Sequence, residues 1–184
     1  MDEKQAIRCL KRGDIGGLEF LVTRFQTKAI RVAYLITRDL GLAEDVVQDA
    51  FINTFRSIRS FDEMRPFEPW LLQSVVHASV RVAQKSRRQV GLEEEADESL
   101  FAELVARVES VEEQVEFLEV RDQVWEAMER LSPRQRAVLI QRYFLEMSEK
   151  EMAAESGAAV GTIKWLLNAA RQRLRTLLAE RSDQ

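Results

Sequence analysis

One row of polar and aromatic side chains recurs at helical spacing in the segment WLLQSVVHASVRVAQKSRR. Spacings of four, three, four, four and three put the row on one face of a helix. Its members are Trp70, Ser74, His77, Arg81, Lys85 and Arg88. An aromatic ring beside donors and cations is how proteins hold single-stranded nucleic acid, because bases stack on the ring and cations neutralise phosphates. The row is equally typical of a solvated face with one aromatic at its edge.

A second set of residues able to bind nucleic acid lies in the segment SEKEMAAESGAAVGTIKWLLNAARQRLR. A capping box of Ser148 and Glu151 begins a short helix that ends at Gly157, and another helix opens at Gly161 and Thr162. This is helix-turn-helix spacing, in which the second helix enters the DNA major groove. The outward-facing candidates are Thr162, Lys164, Trp165, Asn168, Arg171 and Arg175. Any compact helical hairpin can imitate the pattern.

The residues of common enzymatic sites are missing from the chain. With one cysteine, Cys9, and one histidine, His77, there is no internal disulfide, no Cys/His zinc cage and no Ser/His/Asp set. A GxxxxGK phosphate loop is also absent. We therefore expect no catalytic residue, no metal site and no cofactor. Without a long apolar run or a secretory signal, the sequence predicts a cytoplasmic protein that does not contact the membrane.

Charge is divided unevenly along the chain, although the net value is only −4. Residues 1–90 carry 15 Lys and Arg against 11 Asp and Glu, and residues 120–184 carry 11 against 9. Between them, residues 91–119 carry 1 against 11. This asymmetry favours two mildly basic domains joined by an acidic linker. The linker is either solvated or lies in a basic channel, and its apolar spacing predicts partial helix toward its end.

Scarce glycine and proline, with apolar residues spaced three and four apart, predict an all-α fold of two small helical domains, the C-terminal one containing the helix-turn-helix. The third helix, LAEDVVQDAFINTFRSI, is expected to bury Val46, Val47, Ala50, Phe51, Thr54, Phe55 and Ile58. Its outer face near the start carries Glu44, Asp45, Gln48 and Asp49. Acidic groups there would suit the positive end of the helix dipole. The fourth helix is expected to begin at about Pro69.

Taken together, these segments resemble the extracytoplasmic-function (ECF) sigma factors, the small initiation subunits of bacterial RNA polymerase. The successive signatures of that family are matched in order by LKRGDIGGLEFLVTRF, AEDVVQDAFINTFRSIRSF, FEPWLLQSVV and LSPRQRAVLIQRYFLEMSEKEMAAESGAAVGTIKWLLNAARQRLR. The resemblance implies a domain at 1–90 that binds core polymerase and melts the −10 element, a linker at 91–119, and a domain at 120–184 that reads duplex −35 DNA. It also implies regulation by an anti-sigma factor.

Site residues follow from the same resemblance, position by position. Asp45, Gln48 and Asp49 would meet a basic coiled coil of the core polymerase, with Phe51 supporting their helix from within. The loop from Ser60 to Phe67 would catch a flipped base of the non-template strand, at a cost of a few kcal/mol that stacking and phosphate contacts offset. Plausible providers are Phe61, Arg65, Phe67 and Trp70. Burial against the core is the alternative role for the three aromatic rings.

Two departures from the family fall where promoter specificity is decided. Gln73, His77 and Arg81 stand where the family has a basic residue, an asparagine and an aspartate, so its −10 preference does not carry over. After Lys164 the chain reads Trp-Leu-Leu-Asn-Ala, and two cations usual in the family are missing. Each lost phosphate contact lowers the salt slope of binding by roughly 0.9, which predicts weaker −35 binding. Ala159 replaces a common serine cap.

Trp165 leaves two functions open. It could contact a thymine methyl or sugar in the groove, as in a sigma factor that binds promoter DNA. Alternatively, with Leu166 it could form an apolar patch covered by a protein, as in a sigma-like interaction module that no longer reads −35 DNA. A two-domain regulator with an effector-binding half shares the helix-turn-helix, but accounts for neither AEDVVQDAF nor the acidic linker.

Overall fold

The structure, a computed structural model, describes residues 1–89 and 123–182, and the side chains of 1–86 and 123–180. Throughout these residues the regular structure is helical, as the sequence predicts. The chain divides into two compact units, Met1–Val90 and Gly91–Gln184. The acidic segment 91–119, with its expected partial helix, lies outside the described residues. No helix in the described part of the chain is long and apolar enough to cross a bilayer.

Four helices build the N-terminal unit: α1 (Glu3–Lys11), α2 (Gly16–Thr37), α3 (Leu40–Ser57) and α4 (Phe67–Gln89). A short 3-10 turn, Ile58–Ser60, follows α3. The capping box of Asp2 and Gln5 begins α1, and Gly13, at φ 88°, ends it. The predicted apolar faces of α2 and α4 pack together, with Leu21, Val32, Ala33, Ile36, Leu71, Val75 and Val76 all buried.

A close backbone approach fixes α1 against α2. A Cβ added at Gly17 would lie 2.3 Å from the backbone oxygen of Ala6, so only glycine fits there without movement of α1. On the same side of α1, Ala6, Ile7 and Leu10 are buried. Because the two backbones touch, the side chains at the C-terminal end of α1 project from a well-defined position.

Two expectations about α3 are wrong. The helix begins at Leu40, with Asp39 as N-cap accepting from the backbone N–H of Leu42 at 2.8 Å, so the outer acidic residues start in the second turn. The dipole acts mainly within the first turn and does not explain their position. Phe55 is 41% exposed instead of buried. Its ring falls at the edge of the core-facing stripe, where the unit has no element to cover it.

Helix α4 begins two residues before the expected Pro69. The first four N–H groups of a helix have no intrahelical partner, so a proline in the first turn removes no hydrogen bond. The helical spacing that puts the polar row on one face of α4 predicts a buried stripe on the other face. The stripe is confirmed for Leu71, Leu72, Val75, Val76, Ser79 and Ala83, whereas Val82 is only half-buried.

The C-terminal unit contains helical residues 123–129 (α5), then α6 (Pro133–Leu139), α7 (Glu149–Ser156) and α8 (Val160–Ser182). Both predicted capping boxes are present, Ser132 with Gln135 and Ser148 with Glu151. Hydrogen bonds from Ser148 hold the pKa of Glu151 below its ordinary value. The core joins all four helices through Ala127, Leu131, Val138, Leu139, Met152, Ala153, Ile163, Leu167, Ala170 and Leu177.

The backbone hydrogen bonding changes at the end of α6. Residues Ile140–Phe144 form a π-helical turn, which places Tyr143 on the surface. Such turns are rare and often occur at functional sites. The spacing of apolar residues does not reveal this turn. A π-helical turn lengthens each backbone hydrogen-bonded ring by one residue, and Ile140 and Gln141 stay buried within it.

Candidate polymerase and promoter interfaces

A continuous stripe of exposed side chains runs along the outer face of α3. Asp45, Gln48 and Asp49 are exposed, as predicted, and Phe51 is buried beneath them. Sequence reasoning missed that the stripe continues through Ile52 and Phe55, which are 39% and 41% exposed. The spacing of residues 45, 48, 52 and 55 indicates this longer stripe, because residues three and four positions apart lie on one face of a helix. We call these five exposed residues the α3 stripe; it joins an acidic end to an apolar end.

An aromatic cluster lies under the loop between the 3-10 turn and α4. The Phe67 ring, fully buried, stands 5.6 Å from Phe25, 5.7 Å from Phe61 and 5.6 Å from Trp70. Phe61, itself buried, is 4.9 Å from Trp70, which is half-buried. The expectation that Phe61 and Phe67 offer their faces to a base is therefore corrected, because both rings are covered by the core. They hold the loop in place.

The tip of this loop is the part that faces solvent. Asp62 shapes it by accepting from the backbone N–H of Met64 at 2.9 Å through its carboxylate, and from that of Arg65 at 3.0 Å through its carbonyl. Arg65 is exposed, as the sequence predicts for a nucleic-acid contact. Met64 is 91% exposed, and the sequence analysis did not single it out. An unbranched thioether at an exposed turn offers an adaptable apolar surface.

The outer face of α4 is arranged as the spacing predicts. Ser74, His77, Arg81 and Lys85 are exposed, while the side chain of Arg88 lies outside the described residues. Gln73, at one of the positions that depart from the family pattern, is buried and donates from its amide nitrogen to Nε2 of His77 at 3.0 Å. Gln73 therefore orients the imidazole and does not itself reach solvent.

Helices α7 and α8 form the helix-turn-helix, with Gly157 in the left-handed conformation at φ 67° between them. Thr162, Lys164, Trp165, Asn168 and Arg175 are exposed on α8, as predicted. The Trp165 indole is 69% exposed, whereas Leu166 packs partly against the core. Lys164 Nζ lies 4.0 Å from a carboxylate oxygen of Glu149, which links the two helices. The exposed apolar patch that the sequence predicts at Trp165 and Leu166 therefore consists mainly of the Trp165 indole.

Arg171 differs from the other α8 candidates because it is half-buried and already engaged. Its Nε donates to the hydroxyl of Tyr143 at 2.8 Å, and its guanidinium carbon lies 5.6 Å from the centre of the Tyr143 ring. Tyr143, 62% exposed on the π-helical turn, was missed by the sequence analysis. A contact across 28 residues leaves no local signal in the sequence. The tyrosine orients Arg171 at the rim of the helix-turn-helix.

Two families of sequences match separate parts of the chain. Sigma-70 region 2 matches residues 21–89, which contain the α3 stripe, the aromatic cluster, the loop and α4. Sigma-70, region 4 matches residues 121–174, which contain the helix-turn-helix. Together the two segments make up about two thirds of the chain.

Whole proteins are similar over nearly the same length. SigW of Bacillus subtilis, an ECF RNA polymerase sigma factor, is 26% identical over 181 residues, covering 96% of this chain and 97% of SigW. SigM of the same organism, also an ECF RNA polymerase sigma factor, is 29% identical over 153 residues, covering 83% of this chain and 90% of SigM.

Among solved structures, the sigma factor RpoE of Bartonella quintana, crystallised with the anti-sigma factor NepR, matches with a TM-score of 0.65 at 24% identity. The match covers 88% of this chain and 96% of RpoE, and it supports the fold. Region 2 and region 4 occur in the order that the sequence motifs predict. The chain therefore belongs to the ECF sigma factor family, whose members direct transcription initiation and are not enzymes.

Proposed function

We propose that this sigma factor binds core RNA polymerase through the α3 stripe and guides it to promoters with the loop at 61–66, the outer face of α4, and α8. The observation that carries the proposal is the composition of the stripe. Carboxylates and an amide at one end steer a basic partner into register, and Ile52 and Phe55 at the other end supply apolar contact. Buried Phe51 keeps the helix seated while the stripe is engaged.

Binding of the purified chain to bacterial core RNA polymerase tests this docking surface. In the test variant Asp45, Gln48 and Asp49 are changed to alanine. The matched control changes Glu19, Thr23 and Gln26, three exposed residues spaced along one face of α2. Close charge pairs that are net favourable across an interface have coupling energies of about 1.5 kcal/mol or more, so loss of even one such pair should weaken binding about ten-fold. Equal loss in the control would contradict the assignment to α3.

For the −10 element, the proposed contacts are the exposed tip residue Arg65 and the α4 face of Ser74, His77, Arg81 and Lys85, with Trp70 at its edge. The buried rings of Phe61 and Phe67 stabilise the tip and do not stack on DNA. We assign single-stranded DNA to this surface because hydrogen-bond donors and cations lie in a row along the helix beside an aromatic ring. Arg88 would continue the same row.

For the −35 element, we propose that Thr162, Lys164, Trp165 and Asn168 enter the major groove from the first turns of α8, while Arg171 and Arg175 approach the phosphates. Trp165 is the specific apolar contact in this set. Changing Trp165 to serine should weaken −35 duplex binding. Stronger duplex binding by Trp165→Ser would instead favour the interaction module, in which the indole docks on a protein.

An anti-sigma factor is the regulatory partner that we propose. RpoE, a structural neighbour of this chain, is recorded in complex with the anti-sigma factor NepR. Because core polymerase and promoter DNA are the other partners, we place the protein in the cytoplasm. An anti-sigma factor that covers the α3 stripe should compete with core polymerase for binding to this chain. Competition binding, compared between the wild type and the alanine variant of the stripe, measures this effect.

A further inference from the structure

The loop at 61–66 is attached to α1 by a cluster of charged contacts. Lys11 Nζ donates to the backbone oxygen of Phe61 at 2.7 Å and lies 3.1 Å from Oε1 of Glu63. Arg8 Nε donates to Oε2 of the same carboxylate at 3.2 Å. Glu63 thus receives one cation on each oxygen. We call this set of four residues, Arg8, Lys11, Phe61 and Glu63, the α1 clasp.

The two cations of the clasp differ in exposure, and the side chain of Arg8 is 60% exposed. The side chain of Lys11 is only 23% exposed, and that of Glu63 is 35% exposed. Hydrogen bonds from Lys11 and then from Arg8 hold the pKa of Glu63 below its ordinary value, so the carboxylate stays ionised at neutral pH. Two cations share the Glu63 carboxylate, and one of them also donates to the Phe61 carbonyl, so the contacts form a network. Networks of charges contribute more than isolated exposed pairs do.

The cations of the clasp project from a fixed backbone. The backbone oxygen of Ala6 in α1 lies close to Gly17 of α2, and Leu10, next to Lys11 in the sequence, is buried. Position and direction of Arg8 and Lys11 are therefore set by the packing of α1 on α2. The loop is held on two sides, by the aromatic cluster beneath Phe61 and Phe67 and by the clasp at Phe61 and Glu63.

Beyond the clasp, the loop turns outward. Glu63 immediately precedes Met64 and Arg65, the exposed residues of the tip. Because Glu63 is held, only the short turn at Met64 and Arg65 extends beyond the clasp. Asp62 closes that turn by accepting a hydrogen bond from the backbone N–H of Met64. A surface that is ordered before its ligand arrives loses less conformational entropy on binding.

Building on the proposed function, we propose that α1 is a positioning element for promoter melting: Arg8 and Lys11 hold the loop so that Met64 and Arg65 meet an extruded base of the non-template strand. Helix α1 precedes residue 21, where the match to Sigma-70 region 2 begins. The clasp thus joins a segment outside the matched region to the loop inside it. The role assigned here to Arg8 and Lys11 is indirect, since they contact the loop and not the DNA.

The test uses the holoenzyme assembled from core polymerase and the full chain. Lys11→Met keeps the aliphatic stem and removes the charge, and Glu63→Gln keeps the shape of the acceptor. Arg24→Ala is the matched control, because it breaks an ion pair between α2 and Glu3 of α1, at 3.8 Å, without touching the loop. The probe is a pool of short single-stranded oligonucleotides of randomised sequence, enriched by binding to wild-type holoenzyme. Hydrogen exchange of the backbone amides at 62–65 is measured on the same proteins.

We expect Lys11→Met and Glu63→Gln each to weaken retention of the enriched oligonucleotides by about two- to five-fold, because a loop that is held less firmly loses more conformational entropy on binding. Loop amides should exchange faster in both variants, and affinity for core polymerase should not change. The double variant should lose less than the product of the two single losses, because both changes break one network. Arg24→Ala should behave as the wild type.

Wild-type retention by Lys11→Met, with or without faster exchange of the loop, would overturn the positioning role. An equal loss in Arg24→Ala would also overturn it, because the effect would then come from α1 packing in general. Wild-type holoenzyme that enriches no oligonucleotide would instead contradict the proposed −10 surface. The failure of the inference and the failure of the proposed function therefore give different results.

Discussion

The two surfaces that we propose to contact DNA use aromatic residues in opposite ways. In the N-terminal unit, Phe61 and Phe67 are buried and Trp70 is half-buried, and the charged and polar residues of the loop and α4 are exposed above them. In the C-terminal unit, Trp165 projects from α8 and is 69% exposed. The described hydrophobic cluster that joins the helices of this unit is aliphatic, and the buried Trp125 lies outside that cluster. The first surface uses aromatic rings as a foundation, and the second presents one as a contact.

This contrast is consistent with what we propose that each surface binds. A loop that meets an extruded base must keep its shape without the support of regular hydrogen bonding, so a rigid ring cluster below it is useful. A helix in a major groove is already rigid, and its outward side chains are free to make contacts. Removal of an aromatic residue should therefore have different consequences at the two surfaces.

Truncation of the foundation should have the largest effect. Phe67→Ala removes a fully buried ring that contacts Phe25, Phe61 and Trp70, and should lower the free energy of unfolding of the N-terminal unit by about 3–5 kcal/mol. Denaturant unfolding measures this, with Trp165→Ala as the control that leaves the stability of its unit nearly unchanged. A Phe67 variant as stable as the wild type would break the contrast.

Truncation of the exposed indole should affect binding and not folding. Trp165→Ala should weaken binding to −35 duplex by about 1 kcal/mol, roughly five-fold, because apolar contact worth about 0.8 kcal/mol per buried methylene is lost. Gln172→Ala, a change of another exposed side chain on α8, is the matched control. Duplex affinity that is unchanged or stronger would move Trp165 from the DNA interface to a protein interface.

A smaller effect is expected at the start of α8. The backbone oxygen of Ala159 accepts from Thr162 N–H at 2.9 Å and from Ile163 N–H at 3.2 Å, which places Ala159 at the cap, where it lacks a side-chain acceptor. Ala159→Ser should raise the free energy of unfolding of the C-terminal unit by about 0.5–1 kcal/mol. Ala159→Gly serves as a control, since glycine provides no side-chain acceptor and should recover most but not all of this gain.

The salt dependence of DNA binding distinguishes the two surfaces. Removal of Arg81 and Lys85 should reduce the salt slope of single-strand binding by about 0.7 for each residue that contacts a phosphate. Removal of Arg175 should reduce the slope for −35 duplex by about 0.9. Adding a cation by Ala169→Arg should increase the duplex slope by a similar amount, and an unchanged slope would place Ala169 away from the phosphates.

Local sequence signals predict this fold well where one residue type determines the geometry. Gly13 and Gly157 end helices, Pro133 begins one, and the Ser148 box caps another, because these features act within one helical turn. The outward positions on α4 and α8 also follow from helical period alone. Periodicity fails at Phe55, because the extent of the core depends on which neighbouring element is present to cover a ring.

Contacts between distant segments are the part that the sequence does not reveal. Arg8 and Glu63 are separated by 55 positions, and Arg171 and Tyr143 by 28. Charged residues are common in this chain, so no single pairing stands out from the sequence. The burial of Phe61 and Phe67 also depends on the packing of α2 and α4, and composition alone leaves their two roles open.

The most direct test of the central claim is sequencing of RNA 5′ ends made by core polymerase with and without the chain on bacterial genomic DNA. The account predicts new start sites that share one −10-like and one −35-like motif at constant spacing, and their loss with the alanine variant at Asp45, Gln48 and Asp49. A start-site pattern identical to that of core polymerase alone, from a folded wild-type chain, would contradict it.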